Sequence, residues 1–247
     1  MKIKLELPIE LDHPEKIHIG VGIFYNFVSF FLLPFFAYFL IADLPEPHFV
    51  SWFEAGFHCI NLFICVGLFR EFLTDAVNMF WLQKQFHWAV LWRAILVCCI
   101  VNLVFLLNPL TNELSFYVLP VTEGQILLFG GDMLRYNPVM GFLCGVVISP
   151  IVTACLFYAI GFAPAFNKKP WLGYLLVTVL LAFFHIGNDS TGFGLVTEIV
   201  VFVMQLPFHL IACWSLRRTD NICVPIITLA SSNLFSSLIL FIMTLFS

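Results

Sequence analysis

Charge is what this chain has least of. Only 11% of its 247 residues are charged, 11 Lys and Arg against 15 Asp and Glu. A net charge of −4 with so few cations argues against nucleic acid as a partner, because phosphate binding needs clustered Lys and Arg. Metal-ligand spacing is missing as well. The eight cysteines include no C-x-x-C pair, Cys98 and Cys99 are merely adjacent, and no H-E-x-x-H occurs. No metal and no cofactor is therefore expected, and the cysteines read as small apolar fillers. Also lacking is a polar run long enough to build a soluble domain. The N-terminus is not expected to be a signal peptide, since a mixed-charge segment of about 18 residues precedes its first apolar run.

What the chain has in abundance is apolar sequence. It is 61% hydrophobic with a mean hydropathy of +1.00, well above the share of roughly half found in soluble domains. A water-soluble fold is excluded on that ground, leaving a polytopic helical membrane protein. Crossing a hydrocarbon core of about 30 Å takes roughly 20 apolar residues. Seven runs qualify, at about 20–42, 49–69, 87–107, 138–164, 170–187, 192–216 and 222–246. Backbone groups in lipid must be satisfied internally, so all seven are expected to be helices. The expected fold class is thus an all-α polytopic membrane protein with about seven transmembrane helices, forming one membrane domain over 1–247.

Cations set the expected orientation. Lys2, Lys4 and Lys16 precede the first span, and Arg70, Lys84 and Arg93 lie between the second and third or just inside the third. Lys168 and Lys169 separate the fourth and fifth, Arg217 and Arg218 the sixth and seventh. The alternate connections carry only Arg135. The positive-inside bias then makes 1–18 cytoplasmic and places Ser247 outside.

Two connections have their own character. Within 70–86, Arg70, Glu71, Thr74, Asp75 and Asn78 share one helical face, while Phe72, Leu73, Ala76, Met79 and Phe80 favour the other. That pattern predicts an interfacial amphipathic helix. The outer connection 108–137 is acidic and aromatic, and Phe116 and Tyr117 are its candidate partner-binding residues.

Polar residues inside apolar spans usually face a bundle interior. Glu54, His58 and Asn61 repeat at i, i+4 and i+7. Glu198, Gln205 and His209 repeat at i, i+7 and i+11, and His185 and Asp189 stand one turn apart. Thr228, Ser231, Ser232 and Ser236 form a stripe beside Asn233. Interhelical hydrogen bonding is the plain reading of all of these. A polar vestibule built from Glu54, His58, Asp189, Glu198 and His209 is the functional alternative.

Three strings then carry a resemblance. They are Ser149-Pro150-Ile151-Val152-Thr153-Ala154-Cys155-Leu156-Phe157-Tyr158, then Leu181-Ala182-Phe183-Phe184-His185, then the run from Arg218 through Asn233. In order and spacing they resemble the CPBP family, the CAAX-protease and bacteriocin-processing membrane proteins also called Abi. The resemblance covers 138–246. Its full pattern is Glu-Glu-x-x-x-Arg, Phe-x-x-x-His and His-x-x-x-Asn, and it implies glutamate-dependent intramembrane peptidases. Here Thr153 and Ala154 stand at the glutamate pair and Tyr158 at the Arg. His185 matches although Leu181 replaces the Phe of its motif, Leu229 replaces the last His, and Asn233 matches the Asn.

A catalytically degenerate member is the expectation, a pseudoprotease of the bacterial plasma membrane. Its partner would be another membrane or cell-envelope protein, or a peptide, bound for regulation or bacteriocin immunity. An intramembrane endopeptidase with a rearranged site is the first alternative. A lipid or small-molecule transporter is the second, although no inverted internal repeat supports it.

Overall fold

The computed structural model describes residues 47–107, 137–158, 169, 171–177 and 195–246. Every regular element among them is a helix: α1 (Pro47–Leu68), α2 (Arg70–Leu82), α3 (Lys84–Leu107), α4 (138–158), α5 (171–177), α6 (Leu195–Thr219) and α7 (Cys223–Phe246). Six of the seven expected spans have a described helical part. The first, 20–42, lies outside the described residues, as do 1–18 and 108–136. Two described helices, Lys84–Phe105 and Val139–Tyr158, are long and apolar enough to cross a membrane.

The first three helices follow one another with single-residue corners. Phe69 leaves helical geometry at φ −108°, ψ 19°, and Gln83 does the same at φ −108°, ψ 31°. Backbone bonds nevertheless bridge both corners, from Phe69 N–H to the Cys65 carbonyl and from Gln83 N–H to the Met79 carbonyl. The expected faces of α2 are present. Ala76 and Phe80 are buried, Phe72, Leu73 and Met79 half-buried, and Arg70, Glu71, Thr74, Asp75 and Asn78 exposed. The outer face is less polar than expected, for Val77, Trp81 and Leu82 are exposed too.

α3 packs chiefly against α6 and α7. Its buried Leu91 clusters with Val224, and its Asn102 bonds Ser232 and Ser236, so α3 and α7 run in the same direction. α6 runs opposite to α3: the His87 ring faces the Thr219 carbonyl at one end, and Phe105 meets Phe208 further along. The corners between α2 and α3 and between α6 and α7 therefore share one end of the bundle, and Lys84, Arg217 and Arg218 lie there.

Asn221 ties that end together. α6 stops where Asp220 adopts φ 48°, a left-handed conformation that short polar side chains tolerate. Asn221 then accepts the Cys223 N–H at 2.9 Å, starting α7, and its Nδ2 donates to the Ala76 carbonyl of α2 at 2.8 Å. Nearby, buried His87 hydrogen-bonds the Phe80 carbonyl through Nδ1 at 3.2 Å and stacks on the Phe80 ring.

The distribution of polarity across α3 is inverted relative to a water-soluble helix. His87 and Asn102 are 2% and 4% exposed, whereas Trp92 and Leu96 are each 61% exposed. Trp88, Val97, Ile100, Leu103 and Val104 extend the same outward face. Of the expected polar stripe on α7, Thr228, Ser232 and Ser236 are buried at successive four-residue steps, while Ser231 is half-buried.

Candidate functional site

α4 carries the positions that the resemblance assigns to chemistry, and it is not a uniform α-helix. Asn137 caps it, accepting the Met140 N–H through Oδ1 at 3.4 Å, and Pro138 occupies the first turn. Pro138–Phe142 is α-helical, Leu143–Ile148 is π-helical, Ser149–Thr153 returns to α, and Ala154–Tyr158 is π-helical again.

Pro150 accounts for the first widening. It has no N–H, and its ring would clash with the carbonyl four residues earlier. In the widened turn the Ser149 N–H reaches back to the Cys144 carbonyl. The Gly145 carbonyl is thereby left without either amide partner, because Ser149 is engaged and Pro150 has none. Asn233 supplies the missing donor, its Nδ2 lying 2.7 Å from that oxygen. A side chain from α7 thus completes the backbone bonding of α4. In an apolar surround such a carbonyl left unserved costs about 1–3 kcal/mol.

The second widened turn ends at Tyr158, which is fully buried. Its hydroxyl lies 2.6 Å from His209 Nδ1 on α6. With the ring proton on Nε2, the phenol O–H donates to Nδ1. Phe208, beside His209, packs on Phe105 of α3. The pair therefore links α4 and α6 where α6 also meets α3.

The remaining candidates fall as follows. Thr153 is half-buried, Ala154 fully buried, and Leu229 is part of the apolar core, as are Cys155 and Leu156. His58 is half-buried on α1. Glu54 lies on α1 and Glu198 on α6, with side chains outside the described set. His185, Asp189, Phe116 and Tyr117 lie outside the described residues. Asn233 meets α4 at Gly145, nine residues before Ala154, which is about 13 Å along a helix. Its amide is committed to a position a long way from Thr153 and Ala154.

Chemically the described site is neutral. Glu71 and Asp75 are exposed on α2, and Asp220 is eleven residues from His209, about 16 Å along α6. No group of three His, Cys, Asp or Glu able to hold a metal occurs among the described residues, and the eight cysteines are free thiols. A phenol–imidazole pair can position a polar group or rigidify a core. Activating water for peptide hydrolysis takes a base of suitable pKa within reach of it.

Two relationships here are not directly legible in the sequence, the pairing of Tyr158 with His209 and the purpose of Asn233. Pro150 in an apolar run was the available signal for the second. No protein family, curated protein or solved structure matches this chain.

Proposed function

We propose that this chain is a multi-pass helical membrane protein that binds another membrane or cell-envelope protein, or a peptide, without cleaving it. The membrane part of this reading rests on α3, whose outward face is Trp, Leu, Ile and Val apart from Arg93, while its inward face holds His87 and Asn102. Water would penalise so continuous an apolar surface, whereas lipid favours it.

One observation carries the non-catalytic part. The polar side chains at the positions of the resemblance are spent on packing: Asn233 on the Gly145 carbonyl and Tyr158 on His209. Thr153 and Ala154 bring no carboxylate to that helix. A bundle held in this way keeps its shape and offers its surface and outer connection to a partner. Regulation of an envelope enzyme or sensor, or bacteriocin immunity, are uses of such a scaffold.

Crosslinking in native membranes followed by capture of the tagged chain is the deciding experiment. A stoichiometric envelope protein or peptide of unaltered length is the expected product. Recovery of a shortened partner whose shortening disappears in Glu198→Gln would overturn the reading in favour of an endopeptidase with a rearranged site.

A further inference from the structure

Arg93 is the one charged side chain that stands on the outward apolar face of α3 among the described residues. It is exposed, with Ala89 one turn before it and Val97 one turn after. Leu96 and Trp92 lie to one side of it on the helix surface, both 61% exposed, and Trp88 stacks on Trp92 with ring centroids 6.0 Å apart. The opposite face of the helix, with Val90, Leu91, Ala94 and Cys98, is buried against the bundle. Arg93 therefore cannot turn inward, and no ion pair reaches it among the described residues.

The chemistry narrows what meets it. Arg93 lies nine residues into α3, about 13 Å along the axis from Lys84. Side chains on a helix tilt toward its N-terminus, so a guanidinium at this position can reach back over exposed Ala89 toward the end that holds Lys84. The small methyl of Ala89 leaves that path open. Long cationic side chains near span ends take this course to reach the headgroup layer. At that level the available anion is a lipid phosphate, and the planar guanidinium fork suits phosphate oxygens. Trp88 and Trp92, stacked on each other, stand on the adjoining part of the exposed face, and tryptophans favour the headgroup boundary.

We propose that Arg93, with Trp88 and Trp92, is a binding site for the headgroup phosphate of an anionic phospholipid. The ionic bond goes to Arg93, and the stacked indoles lie along the start of an acyl chain. This rests on the membrane reading given above. It adds to that reading a lipid preference at one defined place on the bundle.

The test uses the full-length protein. Carbonate washing of native membranes comes first: release of the wild-type chain would defeat the membrane reading itself. Retained protein is then reconstituted in phosphatidylcholine vesicles containing brominated phosphatidylglycerol, or brominated phosphatidylcholine at the same level. The signal is the tryptophan quenching that is lost in a Trp88→Phe, Trp92→Phe variant. Wild type should favour phosphatidylglycerol about fivefold, the effect of one cation near an anionic surface. Arg93→Lys should keep most of that preference, and Arg93→Gln should reduce it to about one, with both proteins still carbonate-resistant. An equal preference in Arg93→Gln and wild type would overturn the site, and so would a wild type with no preference at all. Loss of self-association in Arg93→Gln with the lipid preference intact would assign the face to a second copy instead.

Discussion

Asn233 on α7 donates its amide to the Gly145 carbonyl of α4 at 2.7 Å, across 88 residues of sequence. The bond exists because Pro150 cannot provide an N–H, so the two residues form one device with the proline. Asn233→Ala should lower stability in detergent by about 1–2 kcal/mol. In a Pro150→Ala background the new amide can serve Gly145 in the widened register, and the same Asn233 change should cost much less. Denaturant unfolding of the four proteins in a double-mutant cycle gives the comparison. Equal costs in both backgrounds would show that Asn233 acts on something else.

A second cycle concerns Asn102, which donates to Ser232 Oγ at 3.0 Å and accepts from Ser236 Oγ at 2.7 Å. These bonds hold α3 and α7 in parallel register. Coupling energies between Asn102→Ala and Ser236→Ala should be about 0.6 kcal/mol and no more than about 1.7, the range for such bonds in membrane bundles. A coupling near zero would mean that shape packing alone sets the register.

The turn at Asn221 has two functions that one substitution can separate. Asn221→Asp keeps the acceptor for the Cys223 N–H but loses the donor to the Ala76 carbonyl. Asn221→Ala loses both. Alanine should cost about 1–2 kcal/mol. Protection of the Ala76–Phe80 turn from hydrogen exchange should fall in both variants, because α2 is released from the α6–α7 corner. Unchanged protection in both would remove Asn221 from the anchoring of α2.

Topology is testable by labelling. The positive-inside bias predicts Lys84, Lys168 and Asp220 inside and Glu113 and Ser247 outside. Single cysteines at Glu113 and Ser247, in a background lacking the eight native thiols, should react with an impermeant maleimide in intact cells. Cysteines at Lys84, Lys168 and Asp220 should react only after permeabilisation. Reaction at Lys168 in intact cells would refute the orientation.

Partner binding is expected to depend on the outer connection. Phe116→Ala with Tyr117→Ala should weaken capture of the crosslinked partner at least tenfold, about 1.4 kcal/mol, without lowering membrane abundance. Neutralising Glu113 and Glu123 should have a smaller effect, since aromatic anchors tend to dominate such contacts. Full capture by the aromatic variant, with loss of capture on changing the exposed Trp81 and Leu82 of α2, would move the interface to the opposite end.

Much of the helical layout is legible in the residues themselves. Apolar runs near 49–69, 87–107 and 222–246 become α1, α3 and α7 with ends displaced by a few residues. Hydrophobic length decides that locally, with Gly56 inside α1 and Pro225 in the first turn of α7 tolerated. The 3.6-residue period likewise identifies the buried face of α2, with Ala76 and Phe80 inward, and the stripe of Thr228, Ser232 and Ser236 on α7. The meeting of those faces is another matter. Periodicity ranks the faces of one helix but leaves its neighbour, its depth and its direction open. Tyr158 and His209 are 51 residues apart and share no motif, and only the packing of α4 on α6 brings them within 2.6 Å. The sequence supplies Pro150, a residue without an N–H, inside the run 138–164. The tertiary structure decided which carbonyl went unserved and that Asn233 would serve it, because an orphaned backbone oxygen takes whichever donor the neighbouring helix presents at its height.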